Sequence, residues 1–208
     1  MLLPAVLSAC AAQASPAPRG PDDTPPPASA QPAPQSATPS MADAVAPTVT
    51  TREMTDGILT DFYLPDRLAI LRVAPTKGPA PLVVVVPGGG WQTSDPVDYR
   101  PLAEALTASG ISTSLITYST MSTGAQFPQP IDDVACAVRW SAFQLSALGY
   151  PPSQVILAGH SAGGQLAMEA ALAGDRFGAD CPMPPVKVDG VVGIAGVYDL
   201  SDPALVPS

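Results

Sequence analysis

Six short apolar runs and three segments of strong helix formers alternate along residues 55–200. The apolar runs are rich in Val, Ile and Leu and predict strands at 57–63, 68–74, 82–86, 112–117, 155–158 and 191–195. Helices are predicted near 99–109, 131–148 and 162–173. Strands and helices alternate after residue 82, which predicts parallel strands with right-handed crossovers, while the first two strands should form an antiparallel edge. We therefore expect an α/β fold with helices on both faces of a mostly parallel sheet.

Two short glycine-containing segments each follow a predicted strand, at the carboxyl edge of the sheet. Gly159-His160-Ser161-Ala162-Gly163 joins a strand to a helix, and a Gly-x-Ser-x-Gly turn in that context lifts a serine hydroxyl above the sheet. The run Pro87-Gly88-Gly89-Gly90-Trp91 follows the strand at 82–86 and exposes backbone amides. Such amides stabilise the oxyanion that forms when a serine attacks an ester carbonyl, and removing one costs a factor of about 100 to 1,000 in rate.

Each of these two segments also has a simpler interpretation. A chance match in an Ala/Gly-rich chain would account for the serine motif, and a plain flexible turn would account for the glycines. A phosphate-binding loop is disfavoured, because no Gly-Lys-Ser/Thr follows the glycines and no lysine lies near them in the sequence.

The motifs and their order resemble the α/β-hydrolase superfamily, closest to the hormone-sensitive-lipase-like and the feruloyl- or acetyl-esterase-like (BD-FAE-like) carboxylesterases. Residues 87–91 look like the His-Gly-Gly-Gly-Trp segment of these enzymes, and 159–164 look like their nucleophile turn. Residues 132–140 look like the helix before the nucleophile strand, and 190–200 like the strand and loop that follow it. The resemblance implies the α/β-hydrolase fold. Pro87 departs from it, since the family's histidine at that position supplies a backbone donor and a side-chain hydrogen bond that shape the oxyanion loop.

The resemblance also implies roles for individual residues and no cofactor. Ser161 would be the nucleophile. The backbone amides of Gly88, Gly89 and Ala162 would bind the oxyanion. Trp91 and Gly90 would line the substrate pocket.

The acid and the base are missing from the places where the resemblance puts them. The superfamily order is serine, acid, histidine, yet no histidine follows Ser161. The single histidine, His160, is adjacent to the serine on a tight turn and should point away from it, whereas a base must come within about 2.6 to 3.2 Å of the hydroxyl. Asp199 is a candidate acid, although we favour a carboxylate that caps a turn. We expect the sheet to lack its last strands, as in a truncated chain, a chain completed by another, or a degenerate relative.

The first fifty residues differ in composition from the rest of the chain. Residues 1–10 end in Leu7-Ser8-Ala9-Cys10, which resembles a bacterial lipoprotein processing box with lipidation at Cys10, but they lack a positively charged start. A random apolar terminus is the alternative. Residues 11–50 are rich in Pro, Ala and Ser and predict a disordered tether. We expect residues 51–208 to form the hydrolase domain, exported to the periplasm, the cell surface or the medium.

The charge and the cysteine content of the chain limit the ligands and partners that we expect it to bind. A net charge of −9 with nine basic residues argues against nucleic-acid binding. Cys136 and Cys181 are expected to pair in an oxidising compartment, with two free thiols as the alternative. Neither has a histidine or second cysteine at metal-ligand spacing, so no metal site is predicted. The oligomeric state is left open.

The function expected from these features is hydrolysis of small acyl or carbohydrate-linked esters by a serine carboxylesterase-type enzyme. The chain alone should be weakly active or inactive, because the triad acid and histidine are missing. One alternative is a non-catalytic α/β-hydrolase-like binding module on a surface tether. Another is a fragment of a dipeptidyl-peptidase-like serine peptidase, which usually follows a propeller domain that the sequence does not show.

Overall fold

The computed structural model describes residues 54–201. The predictions for the signal at 1–10 with its Cys10, and for the tether at 11–50, lie outside the described residues. So do the first and last residues of the predicted domain at 51–208.

Six strands of the described residues form one mixed sheet. They are β1 (Ile58–Leu64), β2 (Arg67–Arg72), β3 (Ala80–Val86), β4 (Ser112–Ile116), β5 (Pro152–His160) and β6 (Gly190–Ile194), in the spatial order β1-β2-β4-β3-β5-β6. β4, β3, β5 and β6 run parallel, whereas β1 pairs antiparallel with β2 and β2 antiparallel with β4. The predicted parallel sheet with an antiparallel first edge is therefore confirmed.

Three helices connect the parallel strands: α1 (Arg100–Ala108), α2 (Gln129–Ala147) and α3 (Ala162–Ala173). Both α1 and α2 end at a glycine with positive φ, Gly110 at 86° and Gly149 at 88°. The amide of Gly110 donates to Thr107 O at 3.0 Å, and that of Ile111 to Leu106 O at 3.1 Å. This pair of hydrogen bonds satisfies carbonyls in the last turn of the helix. It requires the left-handed conformation, which glycine adopts without a steric penalty.

The core lies between the sheet and the helices, and the two parallel strands at its centre are buried along most of their length. β3 alternates fully buried Leu82, Val84 and Val86 with less buried neighbours. β6 is equally apolar in sequence but half-buried to exposed, with Val192 at 51% and Ile194 at 49% exposure. An apolar strand that borders water is unusual for a parallel sheet, whose strands are normally covered on both faces.

An ion pair between a half-buried arginine and a buried aspartate holds the segment that leaves β4. The Asp133 carboxylate, on α2, accepts hydrogen bonds from Arg67 Nε at 2.8 Å and from the Ser119 amide at 2.7 Å. Asp133 thus links β2, α2 and the residues after β4, next to the carboxyl edge of the sheet.

Candidate active site

Ser161 lies between β5 and α3 in a backbone conformation that non-glycine residues avoid. Its φ is 53° and its ψ is −123°, and such strain persists only where the surroundings hold it. The Ser161 amide donates to Ile194 O at 2.9 Å, while its carbonyl accepts from the amides of Gly164 at 2.9 Å and Gln165 at 3.2 Å. A strained strand-to-helix turn of this kind presents a serine hydroxyl at the edge of a sheet.

The glycines around this turn are required by backbone contacts. A Cβ atom on Gly159 would overlap the Gly163 carbonyl, and one on Gly163 would overlap the carbonyl oxygens of Val86 and Pro87. A Cβ on Gly164 would lie 3.1 Å from the Gly159 oxygen. Backbone cannot move aside as a flexible side chain can, so the spacing of the Gly-x-Ser-x-Gly-Gly run follows from how closely β3, β5 and α3 approach each other.

The loop that follows β3 is irregular, with positive φ angles at three consecutive residues. The φ is 142° at Gly89, 58° at Gly90 and 58° at Trp91. The amides of Gln92 and Thr93 both donate to Gly89 O, at 2.9 and 3.1 Å. Glycine suits the first two positions because it has no Cβ atom to clash in the left-handed region.

The glycine loop packs directly against the serine turn. A Cβ atom on Gly88 would lie 2.9 Å from His160 Nδ1 and 3.2 Å from Ser161 Cβ. The structure therefore brings the two segments singled out in the sequence together at the carboxyl ends of β3 and β5.

The amides of this site have different partners. The Gly88 amide, to which the resemblance assigns oxyanion binding, donates to Tyr99 Oη at 3.0 Å, so its hydrogen is already engaged. The amides of Gly89, Gly90 and Ala162 find no acceptor within residues 54–201. Unengaged amides at a helix N-terminus and in a glycine loop are suited to an anionic oxygen.

His160 is exposed, and its hydrogen-bonding partner is Tyr99. Nδ1 lies 2.9 Å from Tyr99 Oη, and the two ring centroids are 6.2 Å apart. Among the described residues, the hydrogen-bonding partner of this imidazole is therefore Tyr99 and not Ser161.

Trp91 is half-buried and turned towards α3. Its indole Nε1 donates to Gln165 Oε1 at 3.0 Å, and the Gln165 amide in turn donates to Glu169. The ring packs against the main core cluster. The resemblance places Trp91 in the substrate pocket, where only the accessible part of its ring could contact a substrate.

Asp199 lies after β6 in an exposed turn. Its Oδ1 accepts hydrogen bonds from the Ser201 amide at 3.0 Å and the Ser201 hydroxyl at 2.5 Å. Both bonds lower the pKa of the Asp199 carboxyl below its ordinary value, and the bond from the Ser201 hydroxyl has the larger effect. The carboxylate caps a turn, which is the interpretation that the sequence favoured over a catalytic acid.

Sequence reasoning missed two tyrosines that contact the glycine loop. Tyr99 precedes α1 and bonds Gly88, while the buried Tyr118 follows β4 and donates to Pro87 O at 2.9 Å. Burial raises the pKa of the Tyr118 phenol well above its ordinary value. The available signal was their position at the carboxyl edge of the sheet, since Tyr99 starts a predicted helix and Tyr118 follows a predicted strand.

Cys136 on α2 and Cys181 in the segment before β6 form a disulfide. Within residues 54–201, no three or more His, Cys, Asp or Glu side chains are grouped so as to hold a metal ion. None of the helices in that same range is long and apolar enough to cross a membrane.

The parallel sheet and the strained serine turn define a protein of the α/β-hydrolase class. The sequence matches the BD-FAE family model over residues 68–205, well over half of the chain, and the chain therefore belongs to the BD-FAE family.

Curated relatives and solved structures agree with this assignment. Esterase LipC of Mycobacterium tuberculosis (strain ATCC 25618 / H37Rv) is 34% identical over 132 residues, covering 62% of this chain and 32% of LipC. Carboxylesterase NlhH of Mycobacterium tuberculosis (strain CDC 1551 / Oshkosh) is 33% identical over 99 residues, covering 47% of this chain and 31% of NlhH. The chain spans about a third of the length of these relatives.

Among solved structures, the native thermophilic esterase Est2 from the Planctomycetes species Thermogutta terrifontis superposes with a TM-score of 0.50 at 25% identity, covering 55% of this chain and 44% of Est2. Its propionate-bound form gives a TM-score of 0.55 at 22% identity, covering 65% and 53%. The likeness confirms the predicted α/β-hydrolase fold.

Proposed function

We propose that this protein is a serine carboxylesterase-type hydrolase that cleaves small acyl or carbohydrate-linked esters, with Ser161 as the nucleophile. The observation that carries the proposal is the strained Ser161 conformation beside the glycine loop. Membership of the BD-FAE family and the esterase names of the relatives support it. No comparable observation supports a peptidase.

Ester cleavage at this site would proceed by acyl transfer to serine. The Ser161 oxygen attacks the ester carbonyl carbon, and the carbonyl electron pair moves onto its oxygen. The amides of Gly89 and Ala162, with that of Gly90, would donate to this oxyanion. Gly88 would contribute only by exchanging its bond to Tyr99. The serine proton passes to solvent water, and the alkoxide that is expelled when the intermediate collapses takes a proton from water to form the alcohol. A second water molecule then hydrolyses the acyl-serine and releases the acid.

The serine proton needs an acceptor, and none of the described side chains is placed as one. His160 bonds Tyr99, and Asp199 bonds Ser201. Oxyanion donors and binding alone leave a rate of about 10³ to 10⁴ over water in a triad hydrolase that has lost its triad. We therefore propose that these 208 residues by themselves hydrolyse esters slowly.

The proposal is tested with p-nitrophenyl acetate, butyrate and decanoate, using the wild-type chain and Ser161→Ala. The expected result is slow hydrolysis that is fastest with the short acyl chains and that falls in Ser161→Ala to the residual rate given by oxyanion donors and binding alone. Equal rates for both proteins with all three esters would contradict the proposal. A Ser122→Ala variant, which changes an exposed hydroxyl that donates to Gln92 O, is the matched control.

A non-catalytic binding module is the second candidate, and the engagement of His160 by Tyr99 is the observation that favours it. Such a module would bind an acyl ligand at the free amides and show no hydrolysis that depends on Ser161. The same assay, combined with ligand binding, separates the two functions.

We also propose that the protein is exported and anchored by lipid at Cys10. The disulfide between Cys136 and Cys181 supports this proposal, because such bridges persist mainly in oxidising compartments. Metabolic labelling with a fatty acid in the bacterial host should mark the wild-type chain and not Cys10→Ala. Equal labelling of both would rule the anchor out.

A further inference from the structure

One peptide group at the start of the glycine loop is hydrogen-bonded at both of its ends. The carbonyl of Pro87 accepts from Tyr118 Oη at 2.9 Å, and the amide of Gly88 donates to Tyr99 Oη at 3.0 Å. These two groups belong to the same planar peptide unit. Two hydrogen bonds at opposite edges of this unit, one to its carbonyl and one from its amide, fix its rotation, and this rotation sets the direction in which the next residues leave β3.

The two tyrosines are held firmly by their own surroundings. Tyr118 is 2% exposed, and its backbone amide and carbonyl both bond the Ser94 hydroxyl, at 3.1 and 2.8 Å. The ring of Tyr99 packs on the apolar cluster that contains Val85 and Leu115. Neither hydroxyl can move far without disturbing packed side chains.

The Tyr99 hydroxyl also contacts the serine turn. It accepts the Gly88 hydrogen, and donation of its own hydrogen to His160 Nδ1, 2.9 Å away, would continue the hydrogen bonds in one direction. In this arrangement the neutral imidazole carries its proton on Nε2. Tyr99 therefore connects the glycine loop to the residue beside Ser161 through one directional chain of hydrogen bonds.

We propose that Tyr99 and Tyr118 are positioning residues that hold the glycine loop in register with Ser161. This pair, the tyrosine clamp, supports the loop although Pro87 lacks the backbone donor and polar side chain of a histidine. The Gly88 amide then has a structural role, and the amides of Gly89, Gly90 and Ala162 are left for the oxyanion. The inference rests on the proposed function, because it assigns the clamp to the oxyanion site.

The first test is a spectrum of the imidazole. The chain has one histidine, so labelling with ¹⁵N-histidine gives the two ring nitrogens of His160 alone. The wild-type protein should show protonated Nε2 and unprotonated, hydrogen-bonded Nδ1. Tyr99→Phe, which keeps the ring, should shift the Nδ1 resonance and speed hydrogen exchange at the Gly88 amide. Tyr150→Phe, a buried control at the opposite end of the sheet, should change neither.

The second test uses butyrate, a carboxylate that can accept from the oxyanion amides and needs no catalytic base to bind. Titration into ¹⁵N-labelled wild-type protein should move the Gly89 and Ala162 amide resonances to saturation. Tyr99→Phe and Tyr118→Phe should each weaken butyrate binding by about fivefold to tenfold, the effect of one hydrogen bond. Tyr150→Phe should bind as the wild type does.

The outcomes separate the clamp from the function on which it rests. If butyrate shifts neither amide resonance of the wild-type protein, the proposed oxyanion site is wrong, and the positioning role of the tyrosines is wrong as well. If butyrate binds the wild type, Tyr99→Phe and Tyr118→Phe equally, the site stands and the clamp is overturned. An unchanged His160 spectrum in Tyr99→Phe would likewise overturn the clamp.

Discussion

Two loops follow parallel strands at the same edge of the sheet, and they are held in different ways. The glycine loop after β3 is bonded to Tyr99 and Tyr118, and a Cβ on Gly88 would meet the serine turn while one on Gly89 would meet the Thr93 carbonyl. The loop after β6, residues 195–201, is held mainly by its own side chains. Its Asp199 bonds Ser201 two residues later, and its Tyr198 ring is 55% exposed and lies over Gly193 and Gly196.

The difference shows which part of the candidate site is held in place by the described residues. The serine turn and the glycine loop are fixed by contacts within residues 54–201, as the proposed stabilisation of an oxyanion would require. The β6 side offers an acidic side chain in an exposed turn and an apolar strand that borders water. Substitutions on either side therefore measure how far the two regions differ in rigidity.

Loss of the disulfide, which attaches the segment before β6 to α2, should have the greatest effect. Cys136 and Cys181 are separated by 45 positions, and the chain-entropy model gives a loss of about 4 kcal/mol in the free energy of unfolding when such a loop is opened. Cys136→Ser combined with Cys181→Ser should show this loss in urea unfolding. Amide exchange should rise more in β6 than in the serine turn, and the reverse order would abolish the contrast.

Two glycine substitutions form a matched pair across the two regions. Gly163→Ala places a Cβ against the carbonyl oxygens of Val86 and Pro87 and should cost more than about 3 kcal/mol, because backbone has to shift. Gly193→Ala meets the exposed Tyr198 side chain, which can rotate away, and should cost less than about 1 kcal/mol.

Urea unfolding of the wild type and both variants measures the difference within the pair. Gly193→Ala combined with Tyr198→Ala controls for the contact and should be no less stable than Tyr198→Ala alone. Equal losses for the two single glycine variants would mean that the β6 side is as tightly held as the serine turn.

Asp199 should show the least effect of these positions. Its lowered pKa means that the turn bonds stabilise the fold above the ordinary aspartate pKa, and that this contribution is lost as pH falls through the lowered value. Asp199→Asn should remove that acid dependence at the Ser201 amide in an NMR titration. It should change hydrolysis that depends on Ser161 by less than about twofold; a loss beyond tenfold would restore Asp199 as the catalytic acid.

Most of the fold could be predicted from the sequence, and less of the site. The apolar runs located all six strands and the helix-forming segments all three helices of the described residues, because burial and period leave a local signal. The α2 helix begins at Gln129, two residues before its predicted start, since Pro130 suits the first turn. Boundaries of this kind depend on capping details that periodicity does not carry.

The partners within the site depend on contacts between residues far apart in the chain. Gly88 and Tyr99 are 11 positions apart, and Tyr99 and His160 are 61 apart. No local pattern marks a tyrosine whose hydroxyl reaches two other segments. The motif therefore located Ser161 and the glycines, while the fold was needed to show that the Gly88 amide is already bonded and that His160 has a partner other than the serine.

Chemical rescue with imidazole decides whether Ser161 is an esterase nucleophile with no base among these 208 residues. Hydrolysis of p-nitrophenyl butyrate is followed with increasing imidazole, and the rate with Ser161→Ala is subtracted as the background of imidazole alone. We predict a slow rate without imidazole and a Ser161-dependent rate that rises with its concentration. Fast hydrolysis without imidazole would reveal a base within the chain, and identical imidazole dependence in both proteins would remove Ser161 as the nucleophile.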